Sequence, residues 1–311
     1  MLNILKLLRY PNLILIALTQ YLFRYFILFP IFKTERIAPV LSHLDFALLV
    51  LSTLLIAAAG YAINDYFDIR IDRINKPDKI IVGRFVSRRK AMSLHTVLNI
   101  IAIIIGFYVS YKAGNIKFGA INIVISMLLW MYAMKYKAYM LVGNIIVSFA
   151  TAMTIFVVWL FENYALWCSG QFVHTNLNLM NFLVWSYIMF AFGTSMIREI
   201  IKDMEDIEGD SKCGCSTIPV VAGERNTRTI LIVLAAVLIA VLLYISFNFA
   251  FVRQWIFVSC YLVLVVILPF LYMIYMIVKS RNKDDYSFLS NLTKFIMVAG
   301  VMSMLLISFR I

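Results

Sequence analysis

The sequence predicts an all-α, polytopic membrane protein: nine transmembrane helices in one bundle, with cytoplasmic acidic loops after helices 2 and 6. Three observations carry this. The chain is 63% apolar and only 14% charged, with a mean hydropathy of +0.90, where soluble domains run at about 45–50% and about 25%. That excludes a soluble enzyme, a disordered tail and a nucleic-acid reader. Apolar runs of spanning length, about 20 residues each, recur along the whole chain. Lysine and arginine then collect on alternate connections, as the positive-inside rule requires.

The runs lie at 11–33, 43–63, 91–112, 117–134, 141–161, 178–197, 229–250, 254–278 and 290–309. The first follows Lys6 and Arg9 and is long, with no small-residue cleavage pattern after it, so it reads as a span and not as a cleaved leader. It carries Gln20 and Arg24 within the apolar segment. The third holds His95 and Asn99, and the fourth, the shortest, holds Asn122. His95 is expected to be packed, and Asn99, Asn122 and Asn144 to hydrogen-bond between helices. An odd number of spans places the two ends of the chain on opposite sides. With the N-terminus and the connections after spans 2, 4, 6 and 8 on one side, that side holds 21 of the 28 basic residues, which makes it the cytoplasm. The net charge of +12 therefore reports topology, and no nucleic-acid partner is implied. No linker or soluble segment divides residues 1–311, which read as one domain. Cys168, Cys213, Cys215 and Cys260 lack the paired spacing of a zinc site.

Thirteen of the sixteen carboxylates fall on the basic side, eleven of them in the connections after spans 2 and 6. The first reads Asn64-Asp65-x-x-Asp68-x-x-x-Asp72 and runs on to Asn75-Lys76-Pro77. Spacings of three and four put Asp65, Asp68 and Asp72 on one face of a helix, and Pro77 ends it. The second connection repeats the spacing with Asp203, Asp206 and Asp210, and Glu199 lies one turn earlier. The equivalent layout four spans apart suggests a duplicated four-helix unit.

Stacked like charges destabilise a helix by roughly 0.2–0.5 kcal/mol per pair, and by more at a membrane boundary where the dielectric falls. Two such stripes call for a cation. Carboxylate oxygens select hard ions. Magnesium takes one or two carboxylates and shares its other positions with substrate phosphates. The EF-hand spacing of a calcium loop is absent. Arg73, Lys76 and Lys79 flank the first stripe, and Arg198, Lys202 and Lys212 the second. These would neutralise a departing diphosphate.

Both acidic motifs resemble the signatures of the UbiA superfamily of intramembrane prenyltransferases. The likeness extends to Asn75-Lys76-Pro77-Asp78, to Tyr132, Lys135 and Lys137 after span 4, to Gly143-Asn144 opening span 5, and to Ser216-Thr217-Ile218-Pro219. Within the superfamily the run Arg198 to Asp210, and the opening Arg9-Tyr10-Pro11-Asn12, look most like the geranylgeranylglycerol-phosphate geranylgeranyltransferase branch. The chain departs from the superfamily at Lys79-Ile-Ile-Val-Gly83-Arg84, where Arg-Pro-Ile-Pro-Ser-Gly is common, and at Ser216, where a basic residue is common.

The resemblance implies magnesium-dependent transfer of a prenyl group, geranylgeranyl in that branch, from a prenyl diphosphate to a lipophilic acceptor, with geranylgeranylglyceryl phosphate first. Asp65, Asp68, Asp72, Asp203, Asp206 and Asp210 are then the Mg2+ ligands and catalytic residues. Asn12, Asn64, Arg73, Lys76, Lys79, Tyr132, Lys135, Lys137, Asn144, Arg198 and Lys202 are expected to bind substrate. Membrane lipids surround the protein, which is placed in a prokaryotic cell membrane with its N-terminus and acidic loops cytoplasmic. The alternatives are prenylation of an aromatic acid in quinone biosynthesis and, more remotely, a cation-coupled transporter. Arg24 is expected to snorkel to the outer interface. A second reading gives it an anionic group of the acceptor.

Overall fold

The computed structural model describes residues 2–39, 41–168 and 178–311; the side chains of Leu2, Lys79 and Ala165 lie outside the description. Among the described residues nine helices are long and apolar enough to cross a membrane. They are α1 (Tyr10–Thr34), α2 (His43–Asn75), α3 (Arg88–Lys112), α4 (Ile116–Met134), α5 (Val142–Cys168), α6 (Asn178–Glu205), α7 (Ile218–Val252), α8 (Ile256–Lys279) and α9 (Lys283–Ser308). No strand forms among these residues, only two isolated bridges. The nine spans and the all-α class agree with the sequence.

The helices outrun the apolar segments, mostly on the basic side. Helix α2 has 33 residues, about 50 Å at 1.5 Å per residue, against a hydrocarbon core of about 30 Å. The acidic residues expected in a loop after span 2 are therefore on the extension of the spanning helix itself. Hydropathy ends at Ile63, but the residues that follow still form helix, and the helix stops only at Asn75, two residues before Pro77. Side-chain caps set several starts: Ser42 accepts from the Asp45 amide at 3.0 Å to open α2, and Asn282 with Asp285 forms a capping box for α9. Helix α7 is interrupted at Gly223, whose φ of 78° lies outside helical space.

The described residues fall into two compact units. The first comprises Met1–Arg24, Phe32–Lys137 and Thr154–Leu177. Its helices α2, α3 and α4 are joined by buried polar groups. Asn122 donates to Ser52 Oγ at 2.5 Å and to the Ala102 carbonyl at 3.0 Å, and Ser52 donates to the same carbonyl. Gly106 makes room for this: a Cβ there would stand 1.8 Å from Asn122 Nδ2. His95 sits 3.0 Å from the Ala59 carbonyl with Asn99 against its ring, the packed role the sequence suggested.

The second unit comprises Tyr25–Ile31, Ala138–Met153 and Asn178–Ile311. Here α6 and α9 approach closely at Gly300, where a Cβ would meet the Phe190 ring at 2.1 Å. Tyr187 and Ser303 share a buried hydrogen bond of 2.7 Å beside it. Ser246 and Ser259 pair at 2.7 Å between α7 and α8.

Candidate functional site at the acidic helix ends

In the first unit the acidic face of α2 is matched by basic and amide groups from three other parts of the chain. Arg9 lies between the short helix Leu2–Leu7 and α1 with a φ of 51°. This left-handed conformation is costly for a residue with a Cβ. It turns the guanidinium onto Asp65, Nη2 to Oδ1 at 3.0 Å, and over the Tyr61 ring at 5.0 Å. Burial pulls the Arg9 guanidinium down. Asp65 beside it, helped by Tyr61 and Asp68, outweighs that and raises it above the ordinary arginine value. Asn12, one turn into α1, donates to the Tyr61 hydroxyl at 3.3 Å.

Asp68 is the centre of this face. One carboxylate oxygen accepts from Asn64 Nδ2 at 2.5 Å, and the other pairs with Lys137 Nζ. Lys137 belongs to the short turn Tyr136–Ala138 that follows α4. Among the basic candidates after span 4, Lys137 is brought to Asp68; Lys135 is exposed and Tyr132 half-buried. Asp72 and Lys76 are half-buried and Arg73 is exposed at the end of α2. Lys79, also expected here, lies outside the described side chains.

In the second unit Asp203 is on the last turn of α6 and accepts from Asn144 Nδ2 at 2.8 Å. Leu141, with a φ of 65°, turns the chain just before α5 and so presents Asn144. Glu199, one turn earlier, accepts from Lys202 at 2.5 Å and from Arg198 at 3.2 Å. The helix carrying this stripe does not run through. It ends at Glu205, Asp206 takes φ −106° and ψ 9°, and a short helix, Ile207–Lys212, holds Asp210. The helical hydrogen bond from the Asp210 amide to the Asp206 carbonyl survives at 3.1 Å, so the spacing is kept across the bend. Asp210 is buried, accepts from Thr217 Oγ1 at 3.2 Å, and its carbonyl takes the Cys215 amide at 2.9 Å. The Ser216 amide donates to the Ala138 carbonyl at 2.7 Å.

The donor set fits magnesium by its chemistry. It is made of carboxylate and amide oxygens, the hard donors this ion prefers. No three acidic, imidazole or thiol groups among the described residues converge on a single point. Magnesium does not require it, since water and phosphate oxygens complete its shell. Two cations of the protein itself, Arg9 and Lys137, hold Asp65 and Asp68. A metal-bound diphosphate could exchange with them without leaving either charge unpaired. The sequence reading missed the pairing of Arg9 with Asp65. Its signal was the invitation to a turn in Arg9-Tyr10-Pro11, but spacing along the chain cannot show a contact fifty-six residues away.

Arg24, expected to snorkel outward, is wholly buried in the protein and meets protein groups, one of them in the connection before α2. Its Nε lies 2.6 Å from Glu162 Oε1 and its Nη2 donates to the Leu41 carbonyl at 2.6 Å. The guanidinium also stacks 4.3 Å from the Phe46 ring centre. It sits in a π-helical segment, Phe23–Leu28, where one wider turn redirects the side chains of α1. Glu162 supplies the anion that the acceptor reading had assigned to a ligand.

A family model described as the UbiA prenyltransferase family matches residues 35–298. The chain is 29% identical over 249 residues to digeranylgeranylglyceryl phosphate synthase of Methanosphaera stadtmanae, covering 79% of this chain and 81% of that one. To the protein of the same name from Methanocaldococcus jannaschii it is 31% identical over 246 residues, covering 78% and 76%. Among solved structures, a UbiA homolog from Archaeoglobus fulgidus bound to DMAPP and Mg2+ shares the fold with a TM-score of 0.62 at 16% identity, over 97% of this chain and 99% of that one. A structure of digeranylgeranylglyceryl phosphate synthase in membranes reaches a TM-score of 0.65 at 23% identity, over 99% and 98%.

Proposed function

The chain belongs to the UbiA prenyltransferase family, and we propose that it transfers a geranylgeranyl group from its diphosphate to geranylgeranylglyceryl phosphate, with magnesium, releasing diphosphate. The observation that carries this choice of acceptor is the match to digeranylgeranylglyceryl phosphate synthases over three quarters of both chains. The metal assignment is supported by the Mg2+ bound in the A. fulgidus relative and by the two acidic faces of this chain.

Magnesium, when bound, would supply the positive charge that lets an allylic C–O bond break toward diphosphate. Asp65, Asp68 and Asp72, and in the second unit Asp203, Asp206 and Asp210, are proposed as its ligands. Asn64 and Asn144 hold Asp68 and Asp203 in place. Arg9 and Lys137 are poised to turn from carboxylate to phosphate oxygens, and Arg198 and Lys202, kept near the second stripe by Glu199, do the same there. The N-terminus and the acidic helix ends are proposed to face the cytoplasm, from the lysine and arginine distribution, and the membrane is proposed to be a prokaryotic one, like those of the relatives' organisms.

The test offers the detergent-purified protein magnesium and labelled geranylgeranyl diphosphate with geranylgeranylglyceryl phosphate, 4-hydroxybenzoate or 1,4-dihydroxy-2-naphthoate in parallel. Mass spectrometry should find a magnesium-dependent product with the glyceryl phosphate. Product only with an aromatic acid overturns the acceptor and keeps the chemistry; no release of diphosphate with any acceptor overturns both.

A further inference from the structure

The connection between α2 and α3 is short, and beyond Asp78 its charges are all positive. From Lys79 to Lys90 it carries five cations, and no carboxylate follows Asp78 until Glu162. Its turn is closed by bonds from the Gly83 amide to the Val86 carbonyl at 2.8 Å and from the Phe85 and Val86 amides to the Ile81 carbonyl at 2.9 and 3.1 Å. Gly83, at φ 90°, permits the bend. Val82 and Val86 point inward and pack with Leu7, Ala62 and Ala91. The residues between them are pushed outward.

Phe85 is therefore 57% exposed on a turn that is otherwise anchored. Arg84 lies against its ring at 5.3 Å, and Arg88, Arg89 and Lys90 are exposed on the first turn of α3. Among the described residues none of these four cations is paired with a carboxylate; Arg88 meets only the Tyr66 ring, at 5.0 Å. The depth of the turn follows from its packing. Ala62 and Tyr66 flank the point on α2 where the apolar run ends at Ile63 and the acids begin at Asp65. This is the level of the membrane–water boundary, where an aromatic ring enters the interface and cations meet headgroups. The short helix Leu2–Leu7 buries Leu7 in the same cluster and exposes Ile4 and Leu5 beside Lys6.

We propose that the Arg84–Phe85 turn, with Arg88, Arg89 and Lys90, is a docking surface for the headgroups of anionic phospholipids in the leaflet on the acidic side of the protein. Four unpaired cations at headgroup depth select negative lipid, and Phe85 holds the turn in the interface. The surface lies wholly within the first unit and is separate from the carboxylates proposed to hold magnesium.

The full-length protein, purified in dodecyl maltoside, would be mixed with dioleoylphosphatidylglycerol or dioleoylphosphatidylcholine and the bound lipids counted by native mass spectrometry. The natural chain is expected to retain phosphatidylglycerol in preference. The variant R84Q/R88Q/R89Q/K90Q should bind it about tenfold more weakly, with phosphatidylcholine unchanged. The variant R84K/R88K/R89K keeps the charge and should keep the preference. Undiminished phosphatidylglycerol binding in the neutralised variant overturns the proposal, as does an equal loss of both lipids. Neither readout involves turnover, so the result stands apart from the prenyl-transfer reading.

Discussion

Asp68 takes Asn64 on one oxygen and Lys137 on the other. Replacing it should damage chemistry more than folding. Asp68→Ala is expected to lower kcat/KM at least about a hundredfold, with normal membrane insertion and an unchanged melting curve; Asp206→Ala should do the same. Near-natural turnover in either would remove the two acidic faces from the mechanism. Arg24 makes the opposite case. Its pairing with Glu162 is away from the acidic ends and fully buried. Losing one partner strands a charge, at a cost of about 3–5 kcal/mol, whereas losing both does not. Arg24→Leu should therefore lower the melting temperature sharply, and adding Glu162→Leu should recover much of it. A double variant as unstable as the single one would show that the loss does not come from a stranded charge.

The elements are held by small residues and buried amides as much as by apolar surface. Helices α2, α3 and α4 meet at Ser52, Ala102 and Asn122, and Gly106 leaves the space. A methyl group there must displace the Asn122 amide. Gly106→Ala is expected to destabilise the protein by about 1–3 kcal/mol, read from thermal unfolding in detergent, and Asn122→Ala in the same chain should return part of it. The bend at Asp206 is of the same scale. It divides the second acidic stripe between α6 and a one-and-a-half-turn helix, so the two stripes, alike in spacing, differ in backbone. The first lies on one unbroken helix through Asn75.

For the whole molecule, the asymmetry of charge predicts one topology. Cys213 and Cys215 follow the second acidic stripe and are partly accessible. A membrane-impermeant maleimide should label them in inside-out vesicles and not in intact cells. The same labelling from both sides would refute the orientation. Removing divalent ions with EDTA should abolish prenyl transfer, and magnesium should restore it.

Much of this protein was decided by order along the chain. Apolar runs need about 20 residues to cross a bilayer, so nine spans could be counted without a structure. Carboxylates spaced three and four apart share a helical face whatever surrounds them. Pro77 stops a helix by its own geometry. These are local properties. Tertiary structure alone decided which cation meets which carboxylate. Lys137 reaches Asp68 because the turn Tyr136–Ala138 carries it there, and Arg9, itself left-handed, reaches Asp65 across fifty-six residues, a contact that spacing along the chain cannot show. Arg24 is the plainest instance. Sequence placed a charge inside a span, but whether it escapes to the interface or stays depends on a partner, and Glu162 lies 138 positions away, brought to it only when α1 and α5 fold.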